Sequence, residues 1–279
     1  MCRLYSQISL KPRTAADFLI DGERSLLRQS NYRRRDFQQD GWGIAYFNGA
    51  GPRLTKSSGA AFKEAGRFKA AARKARSKIV IGHLRAASNP MGSSKKELMR
   101  PENAQPFTDG RFIFAHNGTI RIPREVLKFL GPYKKCLRGS NDSEIYFWQF
   151  RKFFDLYGNV PDALEACVNE LWTLWGYVKK KRGGKKKAPY VGLNTLVSDG
   201  DTLYALCHFP ENHPKKSLFN PKQQWGRMTF ARRGDRVILA SEELDKDKWG
   251  HFGSSEIISA AIKGGKISLT RRPLRPSAR

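Results

Sequence analysis

A cysteine stands second in the chain, directly after Met1. Removal of Met1 would make Cys2 the N-terminal residue and give it both a thiol and a free α-amine. The amine titrates near about 8 and the thiol near about 8.5, so moving the proton from sulfur to nitrogen is almost isoenergetic close to neutral pH. That pairing is a nucleophile with its own general base, and it needs no histidine partner. The small cysteine side chain is compatible with loss of Met1 to an aminopeptidase. A second-position cysteine can equally be an ordinary structural residue, so its meaning turns on what the rest of the chain brings to it.

Four other places carry groups that could act with such a nucleophile. In Ala115-His116-Asn117-Gly118, the Asn117 amide and the Gly118 N–H can point at a developing oxyanion. The same Asn-Gly after an apolar run is also the strongest short signal for a hairpin turn. Arg85 follows the buried run Ile79-Val80-Ile81 and belongs at the rim of a sheet, where it is either a site cation or an ordinary strand-end charge. Asp142 lies in Ser140-Asn141-Asp142-Ser143-Glu144, a helix-start cluster, where an acid also serves as cap or dipole partner. Asp40-Gly41-Trp42-Gly43 runs into an apolar strand, and its glycines permit close backbone approach. His83 and His116 are too isolated to be metal ligands, and a satisfied core or supporting role fits both. No metal and no cofactor are expected.

The elements that must position these groups follow from the pattern. Residues 4–8 read as a first strand, and 14–30 as helix broken at Asp21-Gly22. Residues 44–47 form a strand, 60–77 a basic amphipathic helix, and 79–81 a buried strand. Residues 88–105 are loop. The stripe Tyr146, Phe150, Phe153, Phe154 and Tyr157 marks a helix whose aromatic face is core. A second helix begins near Pro161, with Leu164, Val168, Leu171, Trp175 and Val178 on one face. Strands follow at 193–197, 203–209, 228–231, 237–240 and 267–269, the first two joined by a turn at Asp199-Gly200. Residues 210–226 make a Pro- and Lys-containing excursion. Residues 2–270 read as one domain and 271–279 as a loose basic tail.

Composition bounds the class. With 279 residues, 39% of them hydrophobic, the chain is long enough for a real core. No apolar run reaches membrane-span length, and the N-terminus lacks a signal-peptide pattern. Cys2, Cys136, Cys167 and Cys207 form no CxxC pair, which points to a reducing, cytoplasmic setting. The charge is unusual: 52 Lys plus Arg against 25 Asp plus Glu, a net of +27. Such a field attracts polyanions. Two basic runs could contact nucleic acid or an acidic protein: Arg33, Arg34, Arg35, and Lys179, Lys180, Lys181, Arg182, Lys185, Lys186, Lys187 around Gly183-Gly184. Each can also be a solvated loop.

Taken in order, Cys2, DGWG at 40–43, GHLRAAS at 82–88, ENAQPF at 102–107, AHNG at 115–118 and SNDSE at 140–144 resemble the class II glutamine amidotransferases, which are N-terminal-nucleophile hydrolases. The likeness is nearest to the stand-alone YafJ-like branch, and extends to hydrolases that remove γ-glutamyl groups from ergothioneine precursors or glutathione. It implies an α+β fold, a four-layer α-β-β-α sandwich with two mainly antiparallel sheets. It also implies roles. Cys2 would be nucleophile, with its α-amine as base, and Asn117 and Gly118 the oxyanion hole. Arg85 would hold the substrate α-carboxylate, Asp142 the α-ammonium, and Gly41, Trp42 and Gly43 would wall the pocket. Ala86 stands where many amidotransferases carry an aromatic residue. There is no long synthase region after the motifs, so an ammonia acceptor would lie on another chain. Three readings stay open: a glutaminase or γ-glutamyl amide hydrolase, the glutaminase subunit of a two-chain amidotransferase, and a basic binding protein on the same fold.

Overall fold

The first strand decides the architecture, because it is buried along most of its length and receives a partner on each side. In the computed structural model, residues 2–32, 37–49, 51–182, 188–209 and 215–274 are described. Strand β1 (Arg3–Arg13) is followed by a π-helical turn (Asp17–Asp21) and the short helix α1 (Leu26–Gln29). Next come β2 (Trp42–Asn48), β3 (Gly51–Ser57), α2 (Ala65–Lys74) and β4 (Ser77–Leu84). A one-turn helix α3 (Lys95–Leu98) precedes β5 (Phe107–Thr108) and β6 (Ile113–Ile120). Helices α4 (Pro123–Lys128), α5 (Asp142–Tyr157) and α6 (Val160–Arg182) follow. The chain then runs through β7 (Tyr190–Ser198), β8 (Thr202–His208), β9 (Thr229–Arg233), β10 (Arg236–Ala240), β11 (Gly250–His251), β12 (Ser255–Lys263) and β13 (Lys266–Pro273).

These strands make two antiparallel sheets, ordered β11-β9-β10-β1-β4-β2-β3 and β13-β12-β8-β7-β6-β5. Three apolar cores hold four layers together. One lies between the first sheet and its flanking helices and includes Tyr5, Leu19, Trp42 and Phe68. One lies between the sheets and includes Leu4, Ile8, Ile79, Ile81, Ile113, Ala115 and Leu196. The third packs α5 and α6 on the second sheet through Phe114, Phe147, Phe150, Val168 and Leu171. The expected α-β-β-α sandwich is the observed fold. Period-two alternation gives each sheet one face for the inter-sheet core and one for its helices.

Several local expectations change. Residues 14–30 are not one broken helix but a π-helical turn and one α-helical turn. The basic helix is shorter than 60–77, starting at Ala65. Asn117-Gly118 is no hairpin turn: both residues lie inside β6, paired with Asn194 and Leu193 of β7. Strands β3 and β12 were not expected, and β13 continues through Pro273, where Arg271 pairs with Glu256 and Arg272 with Asp162 and Glu165. The α6 face and the turn at Gly200, with φ of 102°, are as expected; on α5, Tyr146, Phe150 and Phe154 are core, but Phe153 is only half-buried and Tyr157, in the last turn of the helix, is exposed. Lys179 to Arg182 form the end of α6 rather than a loop. Residues 183–187, Arg33 to Arg35 and Met1 lie outside the described residues. No helix among those described is long and apolar enough to cross a membrane.

Candidate active site

Alternation along three strands delivers the candidate residues to one end of the inter-sheet space. Leu4, Ile81 and Ala115 all face the core between the sheets. Cys2 precedes Leu4 by two residues and Asn117 follows Ala115 by two, so both carry the inward direction to the end of their strands. Arg85 is likewise inward, two residues past His83. Leu4, His83 and Gly43 are register partners on β1, β4 and β2. Asp142 arrives from the other side, at the first turn of α5, where its Oδ2 accepts from Ile120 N at 2.8 Å.

Cys2 is 7% exposed, and its Sγ lies 3.6 Å from the Ala86 carbonyl oxygen. Burial raises the thiol pKa, with Arg85 drawing it down and Asp142 pushing it up. Those opposing charges bring the three residues into one electrostatic neighbourhood. Arg85 is 3% exposed. Its Nη1 donates to the carbonyls of Leu98 at 2.8 Å and Asp40 at 3.2 Å. Its Nη2 is buried without a partner among the described residues. A guanidinium fixed by one nitrogen and open at the other is set to take an anion, and an unpaired buried donor is costly until it does. Asp142 is 2% exposed, and burial raises its pKa to about 6, against the pull of the Ile120 N–H and of Arg85. A cation placed beside it would restore the carboxylate. A cation socket and an anion socket side by side suit an amino-acid head.

Asn117 is 2% exposed, and its Oδ1 finds no partner among the described residues. Immediately after it the β6–β7 register slips between Gly118 and Ile120, a bulge that leaves the regular ladder beside the site. Gly118 is fixed by crowding: a Cβ there would stand 1.8 Å from the Gly192 oxygen and 2.6 Å from His116 Nε2. His116 itself is satisfied, with Nδ1 3.0 Å from Ser143 Oγ and Nε2 3.2 Å from the Gly192 carbonyl, and burial pushes its pKa down to about 4. His83 is held neutral by burial next to Arg85 and His116, its pKa pushed down to about 3. His116 thus links β6 to α5 and to Gly192, whereas both ring nitrogens of His83 are buried without a partner among the described residues, unlike the satisfied role expected of it. No group of three or more metal-ligating side chains occurs among the described residues.

The DGWG segment splits its duties. Gly41 has φ of 134°, and its carbonyl accepts from Arg85 N at 2.8 Å. A Cβ on Gly43 would be 2.3 Å from the Gln105 carbonyl oxygen, so the segment before β5 can close against β2 only over a glycine. Asp40 Oδ2 accepts from Ala87 N at 2.8 Å, tying the turn before β2 to the segment after Arg85. The Trp42 side chain does not wall the pocket. It points the opposite way from Gly41 and Gly43, stacks edge-on with Phe68 at 5.2 Å, and donates from Nε1 to Glu64 at 2.9 Å. Asp40, Asn103 and Gln105 have supporting contacts that spacing alone did not assign, although all three lie in or beside quoted motifs.

The matching family model is that of the class-II glutamine amidotransferases, aligned over residues 25–274. The chain belongs to this family. A γ-glutamyl-hercynylcysteine sulfoxide hydrolase of Mycobacterium tuberculosis is 26% identical over 282 residues, spanning 99% of this chain and 100% of that protein. A glutamine aminotransferase class-II domain protein from Silicibacter pomeroyi superposes with a TM-score of 0.62 at 17% identity, covering 99% of this chain and 100% of that one. The glutamine phosphoribosylpyrophosphate amidotransferase of Bacillus subtilis superposes with a TM-score of 0.64 at 15% identity, over 98% of this chain and 49% of that chain. This class II glutamine amidotransferase chain is an amidohydrolase-type enzyme.

Proposed function

We propose that the chain cleaves the side-chain amide of a γ-glutamyl compound by way of a Cys2 thioester, once Met1 has been removed. The observation that carries the reading is the pair of open sockets beside the thiol: Arg85 with a buried, unpartnered Nη2, and a buried Asp142 carboxylate. Together they fit the α-carboxylate and α-ammonium of a glutamyl head and leave its γ-carbonyl to the sulfur. The Cys2 thiol passes its proton to the α-amine, and sulfur attacks the γ-carbonyl. Asn117 and Gly118 donate to the resulting oxyanion; one such donor is worth about 3–4 kcal/mol in the transition state. Collapse expels the amine, which takes the proton from the α-ammonium. Water, deprotonated by the α-amine, then cleaves the thioester to free glutamate and regenerate the thiol. End-to-end coverage by a relative named for a γ-glutamyl substrate supports an amine larger than ammonia as the leaving group.

The test is intact mass before and after exposure to the glutamine mimic 6-diazo-5-oxo-norleucine, followed by amine release from a panel of γ-glutamyl amides. A chain lacking Met1, one adduct on Cys2 and turnover of γ-glutamyl amides above glutamine are expected. A retained Met1 with no adduct would refute the reading. A second reading rests on the Bacillus subtilis enzyme, of which this chain matches about half: a glutaminase subunit feeding ammonia to another chain. Adduct formation with turnover only after adding a cell extract would favour it.

A further inference from the structure

One motif in the sequence has contacts beyond the roles above: the ENAQPF segment, residues 102–107. Asn103 is fully buried. Its Nδ2 donates to the Glu97 carbonyl at 2.6 Å and to the Leu98 carbonyl at 3.4 Å. Leu98 is the residue whose carbonyl also holds Arg85 Nη1 at 2.8 Å. On its other side, Asn103 Oδ1 accepts from Ser140 N at 2.8 Å, and the Asn103 carbonyl accepts from Asn141 Nδ2 at 2.8 Å. Asn141 is the N-cap of α5, its Oδ1 accepting from Glu144 N at 2.7 Å, and Asp142 follows it. One asparagine therefore spans from the carbonyl shelf under Arg85 to the cap that places Asp142.

Two residues on, Gln105 repeats the device toward β6. Its Oε1 accepts from His116 N at 2.6 Å and its Nε2 donates to the His116 carbonyl at 3.1 Å. A side chain thus makes the two-bond pairing of a neighbouring strand, at the residue before Asn117. The segment between them is itself pinned, since Lys56 Nζ donates to the carbonyls of Glu102 at 3.2 Å and Ala104 at 2.9 Å. We propose that this segment is a positioning strap with two separable duties: Asn103 fixes the spacing of Arg85 and Asp142, and Gln105 fixes the aim of Asn117. Neither residue touches substrate. The proposal rests on the γ-glutamyl reading of the site, and it divides that site by function. Losing Asn103 weakens recognition of the amino-acid head in ground and transition state alike, which appears in KM. Losing Gln105 loosens an oxyanion donor, which appears in kcat.

The experiment compares wild type with Asn103→Ala, Asn103→Asp and Gln105→Ala. It measures L-glutamate affinity by calorimetry, Cys2 alkylation by iodoacetamide, thermal midpoint, and kcat and KM on a γ-glutamyl anilide. Asn103→Asp keeps the oxygen that accepts from Ser140 but sets a second oxygen against the Glu97 and Leu98 carbonyls, so the thermal midpoint decides which Asn103 variant is read. Asn103 variants are expected to weaken glutamate binding and raise KM about tenfold or more, with kcat and iodoacetamide reactivity near wild type. Gln105→Ala is expected to lower kcat about tenfold with glutamate affinity unchanged. Folded variants that match wild type, or that lose kcat and KM in the same proportions at both positions, would overturn the strap alone. A wild type that neither binds glutamate nor turns over the anilide would overturn the strap together with the γ-glutamyl reading.

Discussion

At Asp142, burial and recognition pull against each other. Its carboxyl pKa is raised from 3.8 to about 6, first because it is buried. For an acid whose folded pKa lies above its unfolded one, the fold carries no penalty while both states are protonated, below about pH 4. The penalty grows as pH rises through about 6 and is then constant. The full penalty is at most about 3 kcal/mol. Asp142→Asn keeps an oxygen for Ile120 N and removes the buried charge. The variant is expected to melt higher than wild type at pH 7, with the gain fading toward pH 4, while losing at least about a hundredfold in kcat/KM. A calorimetric pH series on both proteins checks this; a variant less stable at pH 7 would contradict it. The same carboxylate must be ionised to hold an ammonium, so kcat/KM is expected to fall as pH drops through about 6. A substrate analogue lacking the α-amine should lack that limb. Arg85→Lys is expected to raise KM about 10- to 100-fold in steady-state assays, because one ammonium cannot grip the Leu98 and Asp40 carbonyls and also present a planar open edge. Cys2, Arg85, Asn117 and Asp142 were singled out in the sequence because their types and order carry the resemblance. Trp42 was misplaced because its neighbours' role does not reveal which face of β2 a side chain takes.

Elements were legible where local pattern and tertiary pairing agree. α5 and α6 announce themselves by aromatic and aliphatic stripes that the third core largely buries, except at Tyr157 in the last turn of α5. β6 is the instructive failure. Its Asn-Gly favours a tight turn locally, yet pairing of Asn117 and Gly118 with β7 carries the strand through, and Asp142 then captures the Ile120 N–H. β3 was missed because it borders only β2 in the sheet order and mixes exposed with half-buried positions. The crowding at Gly118 gives a prediction on this scale. Gly118→Ala forces a Cβ against the Gly192 backbone, and overpacking of that kind costs about 1–3 kcal/mol. At Gly192 the nearest such contact is 3.7 Å, with no positive φ, so Gly192→Ala is expected to cost far less. Urea melts of the two variants should separate them; equal losses would mean that the β6–β7 contact can relax.

At the scale of the whole molecule, the net charge of +27 matters according to where it lies relative to the thiol. Lys179 to Arg182 close α6, whose chain next enters β7 at Tyr190, the register partner of Ile120. The returning segment is tied down by Arg121, whose N and Nη1 donate to the carbonyls of Pro189 at 2.7 Å and Ala188 at 2.8 Å. Lys179 and Lys180 are exposed at the end of α6, and the segment that enters β7 is tied to β6. If that charge reaches the thiol, its field acts on the leaving part of the proposed substrate. Exposed charges are screened over about 10 Å at 0.1 M salt, and more strongly above it. A γ-glutamyl amide with an acidic leaving part is therefore expected to show a kcat/KM several-fold above its neutral counterpart at low salt, and to lose that advantage by about 0.5 M. Replacing Lys179 and Lys180, both exposed, by glutamine should reduce the advantage without altering the neutral substrate. Nucleic acid would feel the same field, but would occlude the mouth: DNA added at low salt should inhibit acidic and neutral substrates alike, with the inhibition disappearing as salt rises. Salt-independent kinetics on both substrates, with no effect of DNA, would mean that the charge serves some surface other than the one beside the thiol.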